Sequence, residues 1–167
     1  MIETSRMLLR HWRVEDAEAL YKYASDRRVS ELALWPQHTS LAMSREVIEQ
    51  IFIPNPYSFA LELKESGEAI GCIGLVPETS EHYHPAPFER EVGYWIGRPY
   101  WNRGLVTEAL LALIGYCRDV MGLHSLLITV DAVNAASRRV AEKCGFALIE
   151  DYTYEGVPSK AYRLHLK

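Results

Sequence analysis

Apolar residues fall into blocks whose spacing changes along the chain, and each change marks a predicted element. Residues 6 to 12 set Met7, Leu8 and Leu9 between arginines and close on Trp12, which predicts a first strand. Val14, Ala17, Leu20, Tyr21 and Ala24 then recur at helical spacing, predicting an amphipathic helix. A polar stretch from 25 to 40, broken by Pro36, leads to a second helix over 41 to 52, which the Pro54-Asn55-Pro56 cluster ends. Residues 57 to 64 alternate apolar and polar, and Ser66-Gly67 turns the chain into 69 to 76, so a hairpin is predicted. Residues 77 to 89 hold three prolines and two histidines and read as a loop. A strand over 91 to 97 is followed by a long helix over 104 to 121, with a stripe of Leu105, Ala109, Leu113, Cys117 and Val120. Next come a strand at 125 to 131 and a helix with Asn134 as N-cap, which Gly145 stops after Lys143 and Cys144. Two last strands, 146 to 152 and 161 to 166, flank a turn at Gly156-Val157-Pro158.

The order β-α-α-β-β-β-α-β-α-β-β describes one mixed α/β domain spanning 1–167. At this length a domain buries roughly 70% of its unfolded surface and needs no staples. Cys72, Cys117 and Cys144 are odd in number, sit in apolar contexts and show no metal-ligand spacing. Buried reduced thiols, no metal and a cytoplasmic location are therefore expected. No apolar run approaches the length of a membrane span, and the first residues lack a signal-peptide core. The formal net charge of −4 argues against a duplex nucleic-acid binder, which needs a basic face. It leaves room for a local cationic patch that holds one phosphorylated ligand.

The most informative stretch is residues 91–109, EVGYWIGRPYWNRGLVTEA. A strand ends at Gly97, a short loop carries Asn102, Arg103 and Gly104, and a helix opens directly behind them. The first N–H groups of a helix have no intrahelical partner and carry about half a positive charge, and glycine lets backbone approach an anion closely. Such a turn is physically a phosphate cradle. The competing reading is a strand-to-helix turn that uses glycine for geometry alone. It is neither a Walker loop nor GxGxxG.

The frame from Trp101 to Val106, continued by Thr107-Glu108-Ala109, resembles the R/Q-x-x-G-x-G/A loop with which the GNAT superfamily of N-acetyltransferases holds the pyrophosphate of CoA. Trp101 and Val106 depart from that pattern, but Y-W-x-x-G-x-x-T-E-A is how the branch resembling ribosomal-protein N-terminal acetyltransferases writes it. The same branch opens with T-x-R-L-x-L-R-x-W-x-x-x-D-A, matched by Thr4, Arg6, Leu9, Arg10, Trp12, Asp16 and Ala17. It also carries N-x-x-S-x-x-V-x-E-K-x-G-F, matched from Asn134 through Ser137, Val140, Glu142, Lys143 and Gly145 to Phe146.

The resemblance implies a GNAT-like fold, with a mostly antiparallel central sheet of about seven strands flanked by about four helices. It implies transfer of an acetyl group from acetyl-CoA to a primary amine, with a protein N-terminus as the acceptor class of this branch. Pantetheine would pair along residues 90 to 97, the N–H of Ile96 taking the thioester carbonyl as an oxyanion donor. Arg103, Gly104, Val106 and Thr107 would present backbone N–H groups to the pyrophosphate, with Arg98, Asn134 and Ser137 adding CoA contacts. Arg138, Arg139 and Lys143 are further cationic candidates. Glu91 would be the general base, directly or through water, unless it merely pairs with Arg90 or Arg10. Ser137 would protonate the leaving thiolate, unless it only caps its helix; Tyr94 is a second candidate acid. Glu108, in a first helical turn, reads as structural. His82 and His84, flanking Tyr83, read as a substrate-side loop or plain surface. Trp12, Trp35 and Tyr83 either wall an acceptor groove or pack in the core. The acceptor segments would be 25 to 56 and 77 to 89. A small amine such as a polyamine, amino acid or drug is the alternative acceptor, and a non-catalytic acyl-CoA sensor is the alternative class. Acyl length and oligomeric state, a dimer included, stay open.

Overall fold

In the computed structural model the described residues are 1–33 and 35–167. Leu34, inside the 25 to 56 segment expected to face an acceptor, lies outside them. The strands are β1 (Ile2–Glu3), β2 (Met7–His11), β3 (Ser58–Leu63), β4 (Ala69–Leu75), β5 (Glu89–Ile96), β6 (Ser125–Asp131), β7 (Ala147–Tyr154) and β8 (Val157–His165). The helices are α1 (Ala17–Ala24), α2 (Arg27–Ala33), α3 (Leu41–Val47), α4 (Leu105–Asp119) and α5 (Ala135–Lys143). The strands form one sheet in the order β1-β2-β3-β4-β5-β6-β8-β7. Its one parallel pairing among the described residues joins 89–92 of β5 to 125–128 of β6.

Differences from the expected elements have local causes. The helix expected from Val14 begins a turn later, because Val14–Asp16 is a 3-10 turn in which Asp16 accepts from the N–H of Arg13 at 2.9 Å. That shift exposes Val14 and buries Tyr23 rather than Tyr21. Helix α2 was missed because it is short and, among its described side chains, buries only Val29 and Ser30, too few for an apolar repeat. Asp26 starts it, its carboxylate accepting from the N–H of Arg28 at 3.0 Å. In α4 the stripe of Leu105, Ala109, Leu113 and Cys117 is buried, but Val120 lies past the helix end and is exposed. The last hairpin turns at Glu155 and Gly156, both with positive φ, one residue ahead of the expected turn.

The chain divides into two compact units, Met1–Gly74 with Tyr94–Ala109 and Leu75–Gly93 with Leu110–Lys167. The first buries Trp12, Leu20, Ala24, Ile48, Ala60 and Cys72 together, with Trp12 against Phe52 at 4.7 Å. Trp12 is therefore a core residue and no part of an acceptor wall. Nearby, Arg10 is buried between Asp16 at 2.8 Å and Glu62 at 2.7 Å. The second unit buries Leu126, Leu127, Ile128, Phe146, Ala161 and Tyr162. All three cysteines are buried free thiols.

Candidate functional site

In the first unit the candidate residues lie where β5 gives way to α4. The N–H of Gly97 donates to the carbonyl of Ile70 at 2.7 Å. Because N–H groups alternate in direction along a strand, that of Ile96 points to the opposite edge of β5. The carbonyl of Ile96 accepts from the Trp101 indole at 2.9 Å. Trp101 thus closes the loop onto its own strand, which gives a physical role to the residue that departs from the arginine or glutamine pattern. A 3-10 turn over Arg98–Tyr100 follows β5, and Asn102 and Gly104 take left-handed φ values of 61° and 73°. Glycine and asparagine enter this region at the least steric cost.

Arg98, Arg103 and Gly104 are exposed, and Val106 and Thr107 half-buried. The N–H of Glu108 donates to the carbonyl of Gly104 at 3.1 Å, so the N–H groups of Leu105 and Val106 precede the helical ladder. A Cβ placed on Gly104 would meet only the Arg6 guanidinium, at 3.7 Å, so the space over this turn is open. Arg103 lays its guanidinium over the Tyr100 ring at 5.5 Å, while its carbonyl accepts from Arg6 at 2.9 Å. The turn therefore offers backbone N–H groups, a fifteen-residue helix behind them and nearby guanidinium groups, which together suit a diphosphate.

Glu108 would oppose an anion here if its own charge were unmet. Its carboxylate accepts from the Thr4 hydroxyl at 2.6 Å, the Arg6 N–H at 2.9 Å and the Arg6 guanidinium at 2.8 Å. Burial alone would raise its pKa, but these donors hold it below the ordinary value.

In the second unit, Glu91 is buried with its side chain 2% exposed. One oxygen accepts from the backbone N–H of His82 at 2.8 Å. The other accepts from the His82 ring at Nδ1, 2.6 Å, and from the Thr129 hydroxyl at 3.1 Å. The alternative pairing of Glu91 with Arg10 is not found, since Arg10 serves Asp16 and Glu62. The sequence pattern predicts a loop or surface position for His82, and nothing in its spacing signals the pairing, which the path of the 77–89 loop creates. The Tyr152 hydroxyl donates to the carbonyl of His82 at 3.2 Å, and burial pushes this phenol up to about 12. The His82 pKa is raised, chiefly by the hydrogen bond to Glu91 and against the effect of burial.

At the start of α5, the Asn134 side chain accepts from the N–H of Ser137 at 3.2 Å, so Asn134 is the cap and Ser137 sits half-buried in the first turn. Arg138 reaches the Tyr162 hydroxyl and the carbonyl of Ala132, whereas Arg139 and Lys143 are exposed. Tyr94 is half-buried on β5; Trp35 packs edge-on against Trp95 at 5.5 Å; Tyr83 stacks on His84 at 4.1 Å. Among the described residues no group of three or more His, Cys, Asp or Glu is arranged to hold a metal ion. Among the described residues no helix is long and apolar enough to cross a membrane.

A family pattern described as an acetyltransferase (GNAT) domain matches residues 6–147. The chain belongs to the GNAT acetyltransferase family. Among its relatives is the uncharacterized N-acetyltransferase p20 of Bacillus licheniformis, 29% identical over 159 residues, or 89% of this chain and 85% of the other. A solved structure of a candidate ribosomal-protein-serine acetyltransferase from Vibrio cholerae has a TM-score of 0.78 at 26% identity, covering 98% of this chain and 96% of the other. The Vibrio cholerae spermidine N-acetyltransferase, solved with CoA and spermine, has a TM-score of 0.77 at 16% identity, over 97% and 96%. As a GNAT acetyltransferase the protein is an acyltransferase with the mixed α/β sheet of that fold.

The motifs that resemble one family branch acquire physical meaning in this GNAT chain. Thr4 and Arg6 of the first motif hold Glu108 of the second. Arg10 and Asp16 of the first form a buried ion pair. In the third, Asn134 caps α5 and Gly145 stops it at φ 91°.

Proposed function

We propose that this GNAT acetyltransferase moves an acetyl group from acetyl-CoA to a primary amine, with a protein N-terminal amine as acceptor and the cytoplasm as its setting. The observation that carries the donor assignment is the open turn at Gly104 in front of α4. In this reading Arg103, Gly104, Val106 and Thr107 bind the pyrophosphate, and Arg98, Asn134 and Ser137 contact CoA. The Ile96 N–H, directed away from β4, takes the developing oxyanion. Glu91 serves the deprotonation of the amine, and Ser137 returns a proton to the thiolate. The whole of 1–167 acts as one transferase domain.

The acceptor assignment rests on the three motifs and on the likeness to the ribosomal-protein relative. It is also chemically economical. Freeing an α-amine of pKa about 7.7–8 at pH 7 costs only about 1 kcal/mol, against nearly 5 for a lysine amine near 10.4. A polyamine acceptor is the second reading, favoured by the exposed carboxylates of Glu150, Asp151 and Glu155 along β7 and its turn.

The test is incubation with acetyl-CoA and a panel of peptides, polyamines and aminoglycosides, read by mass. An N-terminally acetylated peptide is the expected product; acetylated polyamine alone would replace the first acceptor with the second. In parallel, acetyl-CoA at 100 times its Kd should stabilise the fold by about 2.7 kcal/mol. Gly104→Glu should fold with a lowered Tm, since a φ of 73° strains any side chain, and should lose that rise because it sets a carboxylate against the diphosphate. Equal protection by pantetheine and intact CoA would place the anchor elsewhere.

A further inference from the structure

We propose that His82 is the base that takes the proton from the acceptor amine, with Glu91 as the positioning residue beneath it. This rests on the transferase reading above and names the group that meets the acceptor. A base must come within about 2.6–3.2 Å of the proton's heavy atom. Glu91 is closed to such an approach: its side chain is 2% exposed and its oxygens already hold three donors. An amine reaching it would have to open the packing that buries it. The His82 side chain is 42% exposed, and its Nε2 has no hydrogen-bond partner among the described residues.

The carboxylate also decides which nitrogen is basic. An ionised carboxylate only accepts, so the proton of neutral His82 sits on Nδ1 and the lone pair on Nε2. The ring is fixed from several sides. Its backbone N–H is tied to the same Glu91 side chain, its carbonyl accepts from Tyr152, and the Tyr154 ring packs edge-on at 5.1 Å. The groups that act on it are Glu91 from the sheet, Tyr152 and Tyr154 from β7 and Glu155 from the turn, while Thr129 and Glu81 act on Glu91 behind it. An imidazolium formed there is stabilised by Glu91 and Glu155, which suits a group that must accept a proton near neutral pH.

The step balances as follows. The amine nitrogen attacks the thioester carbon and loses a proton to Nε2 of His82; the C–S bond then breaks and the CoA thiolate leaves. The proton on His82 passes to solvent between turnovers, and the thiolate is protonated separately.

The experiment compares wild type, His82→Gln, His82→Asn and Glu91→Gln in acetyl transfer across pH, in acetyl-CoA-induced melting shifts and in NMR titration of the His82 ring. Wild-type kcat/KM should rise with pH along a limb that coincides with the His82 titration. His82→Gln should lower kcat by roughly 10²–10⁴ and abolish that limb, with the acetyl-CoA melting shift retained. Glu91→Gln should move the His82 titration to lower pH and carry the kcat/KM limb with it, a coupled change that a merely structural carboxylate would not produce. Near-normal turnover in His82→Gln or His82→Asn would overturn the proposal. So would a His82 titration indifferent to Glu91, which is read without any activity. A wild type that acetylates no amine would overturn the transferase reading and this inference with it. An active wild type with fully active His82 variants would overturn this inference alone.

Discussion

Strand β5 carries two glutamates on one face, Glu89 and Glu91, and the surroundings of the two differ in kind. Glu89 meets the Arg163 guanidinium with both oxygens, at 2.6 and 2.9 Å, and accepts from the Ser125 hydroxyl at 2.5 Å and the Ala86 N–H at 2.8 Å. Glu91 meets an imidazole, a hydroxyl and an N–H. Both carboxylates are buried and well supplied with donors. Arginine, however, keeps its charge throughout the working pH range, while histidine changes charge near neutrality. One end of the segment is therefore a fixed fastening, and the other can exchange protons. Burial and hydrogen-bond number are alike for the two carboxylates; the identity of the donor is what differs.

The comparison is sharpest under isosteric substitution. Glu91→Gln should lower kcat by roughly 10²–10⁴ with little change in acetyl-CoA affinity. The glutamine can still fill the space, but its NH₂ can donate to Nδ1 and favour the wrong tautomer of His82. A variant with normal kcat would erase the distinction between the two glutamates.

Glu89→Gln should act on stability instead. Removing one partner of a buried pair costs about 3–5 kcal/mol, or a fall of roughly 6–20 °C in Tm for a chain of this size. Transfer per folded molecule should stay near normal. A stable but inactive Glu89→Gln would reverse the assignment.

The smallest effect is in pH. Burial opposes ionisation of Glu89, but Arg163, the Ala86 N–H and Ser125 bring its folded pKa below the ordinary value. Its contribution is thus present above the ordinary glutamate value, about 4.3, and is lost as pH falls through the lowered one. His82 has the opposite sign. Its folded pKa is raised, so its contribution is full below about 6.5 and is lost as pH rises through the raised value. Melting curves across pH should show the acid loss vanish in Glu89→Gln and the shallow loss near neutrality vanish in Glu91→Gln.

Much of this arrangement was legible in the chain itself. Asn134 capped its helix and Gly145 stopped it as their residue types require, and the loop to Gly104 stood out by glycine placed before an apolar helical repeat. The short helix α2 did not stand out, because seven residues with two buried side chains carry almost no periodicity. Nor did His82. Its pairing with Glu91 spans a proline-rich loop, and no local rule couples a histidine to a carboxylate nine residues away across such a segment. Trp101 was readable only as a departure from a pattern; its bond to Ile96 gives it a reason.

The bonds from Thr4 and Arg6 to Glu108 have a practical side. They act as a guy-line from the leading end of the chain to the mouth of α4. The first turn of α4 is therefore held from as far as 104 positions away in the sequence. Replacing Thr4 and Arg6 would leave the Glu108 carboxylate without those donors at the opening of α4.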